Sequence, residues 1–197
     1  MQAWDQTSSR WLQGPAEFAL TVVGAVTQQL FSGQVVLGVA LIAAVLLLLR
    51  RRWLLAASMA AVFPLVLAEV ALKFIIRQPP ASRYLQPRLL FPSYGPPGAL
   101  ATGFPSGHAA RAMFVIGWLT VVLTPSRYRP LALAGAILLT LFVCWTRIYV
   151  GDHSVLEIVA GLVLAVVFLV PASVLSLLAR RADNGGERLR LERGAAN

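Results

Sequence analysis

QVVLGVALIAAVLLLLRRRWLLAASMAAVFPLVLAEVALKFII, residues 34–76, consists of two apolar runs separated by three arginines. A helix crosses a hydrocarbon core with about 20 apolar residues. The runs 34–49 and 53–76 therefore read as two membrane-spanning helices joined by a tight basic loop, and 108–124, 130–145 and 154–179 carry the same signature farther along. With 58% hydrophobic and 13% charged residues, the chain lies outside the range of soluble domains. The expected fold class is all-α: a single membrane-embedded helical bundle over 1–179 with about five transmembrane helices, then a basic tail, 180–197, expected to be disordered. Segment 15–31 differs. Glu17, Thr21, Gly24 and Gln28 recur at helical spacing on one side, and Ala19, Val22, Val23, Val26 and Leu30 on another. That pattern suits an N-terminal amphipathic helix lying in the interface or packing against the bundle, with a sixth crossing as the alternative. The first 14 residues have neither the basic start nor the apolar centre of a signal peptide.

The net charge of +9 raises the question of nucleic acid. The basic residues, however, sit in short clusters between apolar runs and are not interleaved with aromatics on a polar surface, which argues against nucleic acid and for a membrane. Arg50, Arg51 and Arg52, then Arg127 and Arg129, then Arg180 and Arg181 occupy alternate loop positions. Short basic loops stay cytoplasmic, so 77–107 and 146–153 are expected together on the outer face of the plasma (cell inner) membrane, with the carboxyl terminus cytoplasmic. The single cysteine, Cys144, has no internal disulfide partner and reads as a small apolar packer.

An ionisable group near a bilayer is a functional-site hypothesis by default, and these groups converge on the outer side. Lys73 closes the 53–76 helix, and Arg77, Arg83 and Arg88 follow around Pro79 and Pro80, which end that helix. Ser106, Gly107 and His108 open the next crossing, and Arg147 and His153 flank the last turn. A helix start presents unsatisfied N–H groups and the positive end of the macrodipole, so PSGH at 105–108 is an anion cradle. Gly107 permits close backbone approach, and Ser106 either caps the helix or donates to a phosphate oxygen. Lys73 adds a compact charge and Arg147 a planar fork. Of two imidazoles, one can attack phosphorus while the other protonates the leaving oxygen. The scheme needs no metal or cofactor, and two histidines with one cysteine leave little from which to build a zinc site. Ser154 and Glu157 also form the capping-box pattern S-x-x-E. Lys73 by itself would pair with Glu69 one turn earlier or snorkel to the interface. Asp152, Tyr149, Trp145 and Phe104 read as interface anchors.

On these residues the chain resembles the membrane type 2 phosphatidic acid phosphatase and vanadium haloperoxidase superfamily. Its signature is Lys, six residues, Arg-Pro; Pro-Ser-Gly-His; and Ser-Arg, five residues, His, three residues, Asp. The second part is complete at Pro105, Ser106, Gly107 and His108. The third matches at Arg147 and His153, with Thr146 in the serine position and Glu157 in the aspartate position; the first matches at Lys73 alone, with Pro80 and Ala81 where Arg-Pro is expected. The resemblance implies a hydrolase of lipid phosphates or lipid pyrophosphates that works without a metal. It implies His153 as nucleophile forming a phosphohistidine, His108 as acid, and Glu157 as the group orienting His153. Lys73, Ser106, Gly107 and Arg147 would hold phosphoryl oxygens. Arg83 is expected to replace the missing arginine, ahead of Arg77 and Arg88. Undecaprenyl pyrophosphate, phosphatidic acid and phosphatidylglycerol phosphate are all compatible substrates. A relative that binds or carries lipid phosphates without hydrolysing them is the alternative.

Overall fold

A computed structural model describes residues 3–76, 78–79, 81–88 and 103–195, with Ser82 and 183–195 described by backbone alone. Among the described residues all regular structure is helical. The helices are α1 (Ala3–Gln13), α2 (Phe18–Leu30), α3 (Gly33–Leu49), α4 (Trp53–Ala60), α5 (Val62–Ile75), α6 (Gly107–Leu123), α7 (Arg129–Tyr149) and α8 (Val155–Ala195), with single 3-10 turns at Ala81–Arg83 and Ser126–Tyr128. Arg77 and the stretch 89–102 lie outside the described residues.

Among the described residues three stretches are long and apolar enough to cross a membrane: Trp53–Ile75, Ser126–Tyr149 and Val155–Ala182. The first includes the short break at Ala61, where Pro64 offers no N–H to the preceding turn. Helices α2 and α3 qualify as one span bent by 47°, with Ser32 capping α3 by accepting the Val35 amide at 3.3 Å. From sequence, 34–49 is a crossing of its own and 15–31 a separate amphipathic helix; in the fold the two are halves of this bent pair.

The reason lies in the faces of α2. Gly24, Thr27 and Gln28 are buried, whereas Val26 and Leu30 are more than half exposed. The polar face turns inward onto α7 and the apolar face outward, the arrangement a membrane solvent favours. Helix α6, 17 residues, is the inner helix, packed against α8 and α7. Its Ala109, Ala110, Ala112 and Phe114 are fully buried, and Phe114 shares a core with Val62, Leu65 and Ala165. Small side chains let helices approach closely within a bilayer, where van der Waals packing drives association.

Polar contacts clamp the end opposite the histidines. Trp118 Nε1 and the Ser176 hydroxyl donate to Ser58 Oγ at 3.0 and 2.9 Å. Arg180 donates to the carbonyls of Val121, Val122 and Thr124, the open C-terminal end of α6. Beyond it α8 continues as helix to Ala195, where disorder is expected from sequence. The tail is rich in Arg, Leu, Glu and Ala, strong helix formers that extend a helix already nucleated in the bundle.

Candidate active site

The site forms at one end of the bundle, where α5 and α7 end and α6 and α8 begin. Past Tyr149 the chain turns through Gly151, at φ +77°, where a Cβ would also run into the Gln86 carbonyl. The turn is closed by the amides of Asp152 and His153, which both donate to the Arg147 carbonyl, at 3.0 and 3.2 Å.

Helix α8 begins with its free amides satisfied by side chains. Ser9 Oγ accepts from Val155 at 3.1 Å and Asp5 Oδ1 from Leu156 at 2.9 Å. Ser154 Oγ accepts from Glu157 at 3.3 Å, and Glu157 Oε2 accepts from Ser154 at 3.2 Å. The last two bonds are the reciprocal capping box. The same Oε2 accepts the Nδ1–H of His153 at 2.9 Å, so Glu157 performs the capping and the orienting roles together. A carboxylate acceptor at Nδ1 leaves the lone pair of His153 on Nε2.

His108 is held in the corresponding way. Its Nε2 lies 3.2 Å from the Gln28 carbonyl, which can only accept, so Nδ1 carries the lone pair of the neutral ring. The two ring centroids are 6.0 Å apart. Between them stands Asp152, whose Oδ2 is 3.9 Å from His108 Nδ1 and 3.7 Å from His153 Nε2. Burial by itself would raise the Asp152 carboxyl, but His153, His108, Arg147 and Lys73 outweigh it and hold the group below the usual carboxylate range.

Arg147 is fully buried. Its Nη2 donates to the Gly24 carbonyl and to Thr27 Oγ1, the latter at 2.7 Å. Nε and Nη1 have no hydrogen-bond partner among the described residues. Two buried, unpaired guanidinium donors are costly unless an acceptor arrives. Thr146 hydrogen-bonds Thr27 at 2.9 Å and so joins α7 to α2.

Lys73 lies 3.8 Å from Glu69 and donates to the Pro105 carbonyl at 3.0 Å. Glu69 also accepts from Arg111, whose Nε donates to the Phe31 carbonyl at 2.9 Å. Gly107 makes room for this cluster, because a Cβ there would overlap the Glu69 carboxylate. Ser106 caps α6 by accepting the Ala109 amide at 3.4 Å, and its own amide donates to the Glu157 carbonyl at 2.9 Å, joining the two motif segments.

The fold thus gathers Lys73, Ser106, Gly107, His108, Arg147, His153 and Glu157 at one end of the bundle. Arg83 is exposed at the end of its 3-10 turn. The neighbouring Tyr84 hydroxyl lies beside Ser154 without a hydrogen bond of ordinary geometry, and burial above all pushes its pKa up to about 12. Arg88 is engaged elsewhere: its guanidinium donates to the carbonyls of Gln13, Gly14 and Pro15 and lies 4.7 Å from the centre of the Tyr149 ring.

Sequence reasoning missed several members. Asp152 and Tyr149 read as interface anchors; the first stands between the histidines and the second is buried at the foot of α7. Carboxylates stand among the cations: Glu69 faces both Lys73 and Arg111, Asp152 and Glu157 face the histidines, and Arg147 is held by the Gly24 carbonyl and Thr27. Arg111, one turn after His108 in an apolar helix, was the available signal. Asp5, Ser9 and Gln13, spaced by four and all buried, were another. Two histidines with one cysteine leave little in the sequence for a zinc site, yet the donor atoms of His108, Asp152 and His153 lie within 4.8 Å of one another.

A profile of the PAP2 superfamily matches residues 51–181. Among solved structures, the fold is similar to that of the first transmembrane PAP2 type phosphatidylglycerolphosphate phosphatase from Bacillus subtilis, with a TM-score of 0.69 and 19% identity over 93% of this chain and 86% of that one. Among curated proteins no relative matches. The structural likeness speaks for the fold, while the profile takes in Lys73, the PSGH turn, Arg147, His153 and Glu157. This chain belongs to the PAP2 superfamily.

Proposed function

We propose that the protein hydrolyses a lipid phosphate monoester or lipid pyrophosphate at the extracytoplasmic membrane face, through a phosphohistidine intermediate and with no metal in the reaction. One observation carries this reading: the two imidazoles face a common space, each with its outer nitrogen held by an acceptor and its inner nitrogen turned toward that space, where the Asp152 carboxylate lies beyond hydrogen-bond distance of both.

The lone pair of His153 Nε2 attacks phosphorus as the P–O bond to the leaving group breaks, and His108, protonated at Nδ1, gives its proton to the departing oxygen. Water then attacks phosphorus, its proton passes to the neutral Nδ1 of His108, and the P–N bond breaks to release orthophosphate and restore both rings. Glu157 keeps the His153 ring oriented and stabilises the positive charge it acquires when Nε2 bonds to phosphorus. The unpaired Nε–H and Nη1–H of Arg147 match the spreading negative charge of a phosphoryl group, with Lys73, the Ser106 hydroxyl and the Gly107 amide completing the set. Arg83, exposed at the rim, meets the headgroup as it arrives.

The test is phosphate release by the purified protein in detergent from phosphatidic acid, phosphatidylglycerol phosphate and undecaprenyl pyrophosphate. Release should persist in excess chelator, stop with vanadate, which imitates five-coordinate phosphorus, and vanish in His153→Asn while lipid binding survives. Binding without release by the native chain would make it a carrier. Loss of activity in chelator with rescue by magnesium would end the phosphohistidine scheme.

A further inference from the structure

The chemistry proposed above uses both histidines but not Asp152, whose carboxylate stands between them. Three donors converge there: His108 Nδ1, His153 Nε2 and Asp152 Oδ2. The outer nitrogen of His153 is fixed by the Glu157 carboxylate at 2.9 Å and that of His108 by the Gln28 carbonyl at 3.2 Å. Metal-ligating histidines have the same support, an outer N–H given to a carboxylate or carbonyl so that the tautomer and ring angle are set in advance. We infer that these three side chains form a binding site for a divalent transition-metal ion, with zinc as its representative, and that the ion occupies the place of the phosphoryl group.

Donor type and geometry select the metal class. Two imidazoles and one carboxylate suit zinc with one position left open, whereas magnesium and calcium require a shell of oxygens that this site lacks. Tetrahedral zinc, with bonds near 2.0–2.1 Å, places its ligands about 3.3 Å apart. The Asp152 oxygen is 3.9 and 3.7 Å from the two nitrogens, so small side-chain rotations close the site.

Charge decides how the ion is held. With both rings neutral, Lys73, Arg111 and Arg147 already balance Glu69, Asp152 and Glu157, so a dication adds two positive charges to a neutral cluster. The binding is consequently reversible by chelator, unlike that of a structural zinc. Its consequence rests on the hydrolase reading: a metal on His153 Nε2 blocks the nucleophile, and zinc then acts as a competitive inhibitor.

The experiment uses the full chain in detergent, purified without an oligohistidine tag and freed of metal by chelator. Titration calorimetry should show one equivalent of zinc and no magnesium. Asp152→Asn should weaken zinc at least tenfold, and Glu157→Gln, acting through His153, by about 10- to 100-fold. X-ray absorption of the zinc-loaded native chain requires no variant. The chain has two histidines, so two imidazoles in the zinc shell identify both. No zinc uptake by the native chain, fewer than two imidazoles, or an unchanged isotherm in a folded Asp152→Asn protein would overturn the inference. Zinc binding without phosphate release would instead retain the metal site and remove the hydrolase reading; release without zinc binding would do the reverse.

Discussion

Oε2 of Glu157 accepts from both the His153 ring, at 2.9 Å, and the Ser154 amide, at 3.2 Å. One oxygen therefore links the start of α8 to the orientation of the His153 ring. The two roles separate by mutation. Glu157→Gln loses a hydrogen bond to a charged acceptor, about 2 kcal/mol. Turnover should drop by roughly thirtyfold, with a lower melting temperature. Ser154→Ala removes a cap worth about 1 kcal/mol but leaves the carboxylate on His153, so melting should fall while kcat stays within about twofold of native. Equal loss of kcat in both variants would show that capping, and not the carboxylate, sets the ring.

Arg147, Arg83 and Arg88 should give three different phenotypes. Arg147→Ala removes a preorganised donor from the developing charge and should lower kcat about a hundredfold, near 3 kcal/mol. Arg147→Lys should remain impaired, because an ammonium lacks the fork. Arg83→Ala should chiefly raise KM, as expected of an exposed cation that meets the substrate first. Arg88→Ala should lower stability by about 1 kcal/mol and leave kcat nearly intact, since Arg88 bonds to the carbonyls of Gln13, Gly14 and Pro15 at the end of α1. Steady-state phosphate release and thermal melting, measured on all three, check the assignment.

Helix α1 reaches the reaction indirectly. Asp5 and Ser9 accept the first two amides of α8, 2.9 and 3.1 Å away. Asp5→Ala should destabilise the protein by about 1 kcal/mol and loosen the α8 start that carries Glu157. Hydrogen exchange should quicken at Leu156 and its neighbours. Unchanged protection there would show that α8 holds its first turn unaided.

Single cysteines at Thr7 and Ala182, both exposed, in a Cys144→Ser background test orientation. Thr7 lies on α1 at the histidine end, and Ala182 follows the Arg180–Arg181 pair at the other. An impermeant thiol reagent added to intact cells should label the first and spare the second. The opposite pattern would place the histidines in the cytoplasm.

What was legible in the sequence is local or periodic. Apolar runs define the membrane bundle because a bilayer requires length and hydropathy from each helix. PSGH and S-x-x-E mark two helix starts, because capping acts within one turn, and both appear in the structure as written. The polar stripe Gly24–Gln28 on α2 was visible as well, but the sequence left open whether that helix lies in the interface, packs against the bundle or crosses the membrane. Tertiary structure decided which distant groups meet. Asp5 and Leu156 are 151 positions apart, and nothing short-range links them. Arg111 finds Glu69 and the Phe31 carbonyl, and Arg88 is drawn to α1 while Arg83 stays exposed. Asp152 enters the space between two imidazoles because Gly151 turns the chain there. In a bundle surrounded by hydrocarbon a buried polar group draws its partner from inside the protein or from a ligand, and packing, not sequence distance, determines which one it finds.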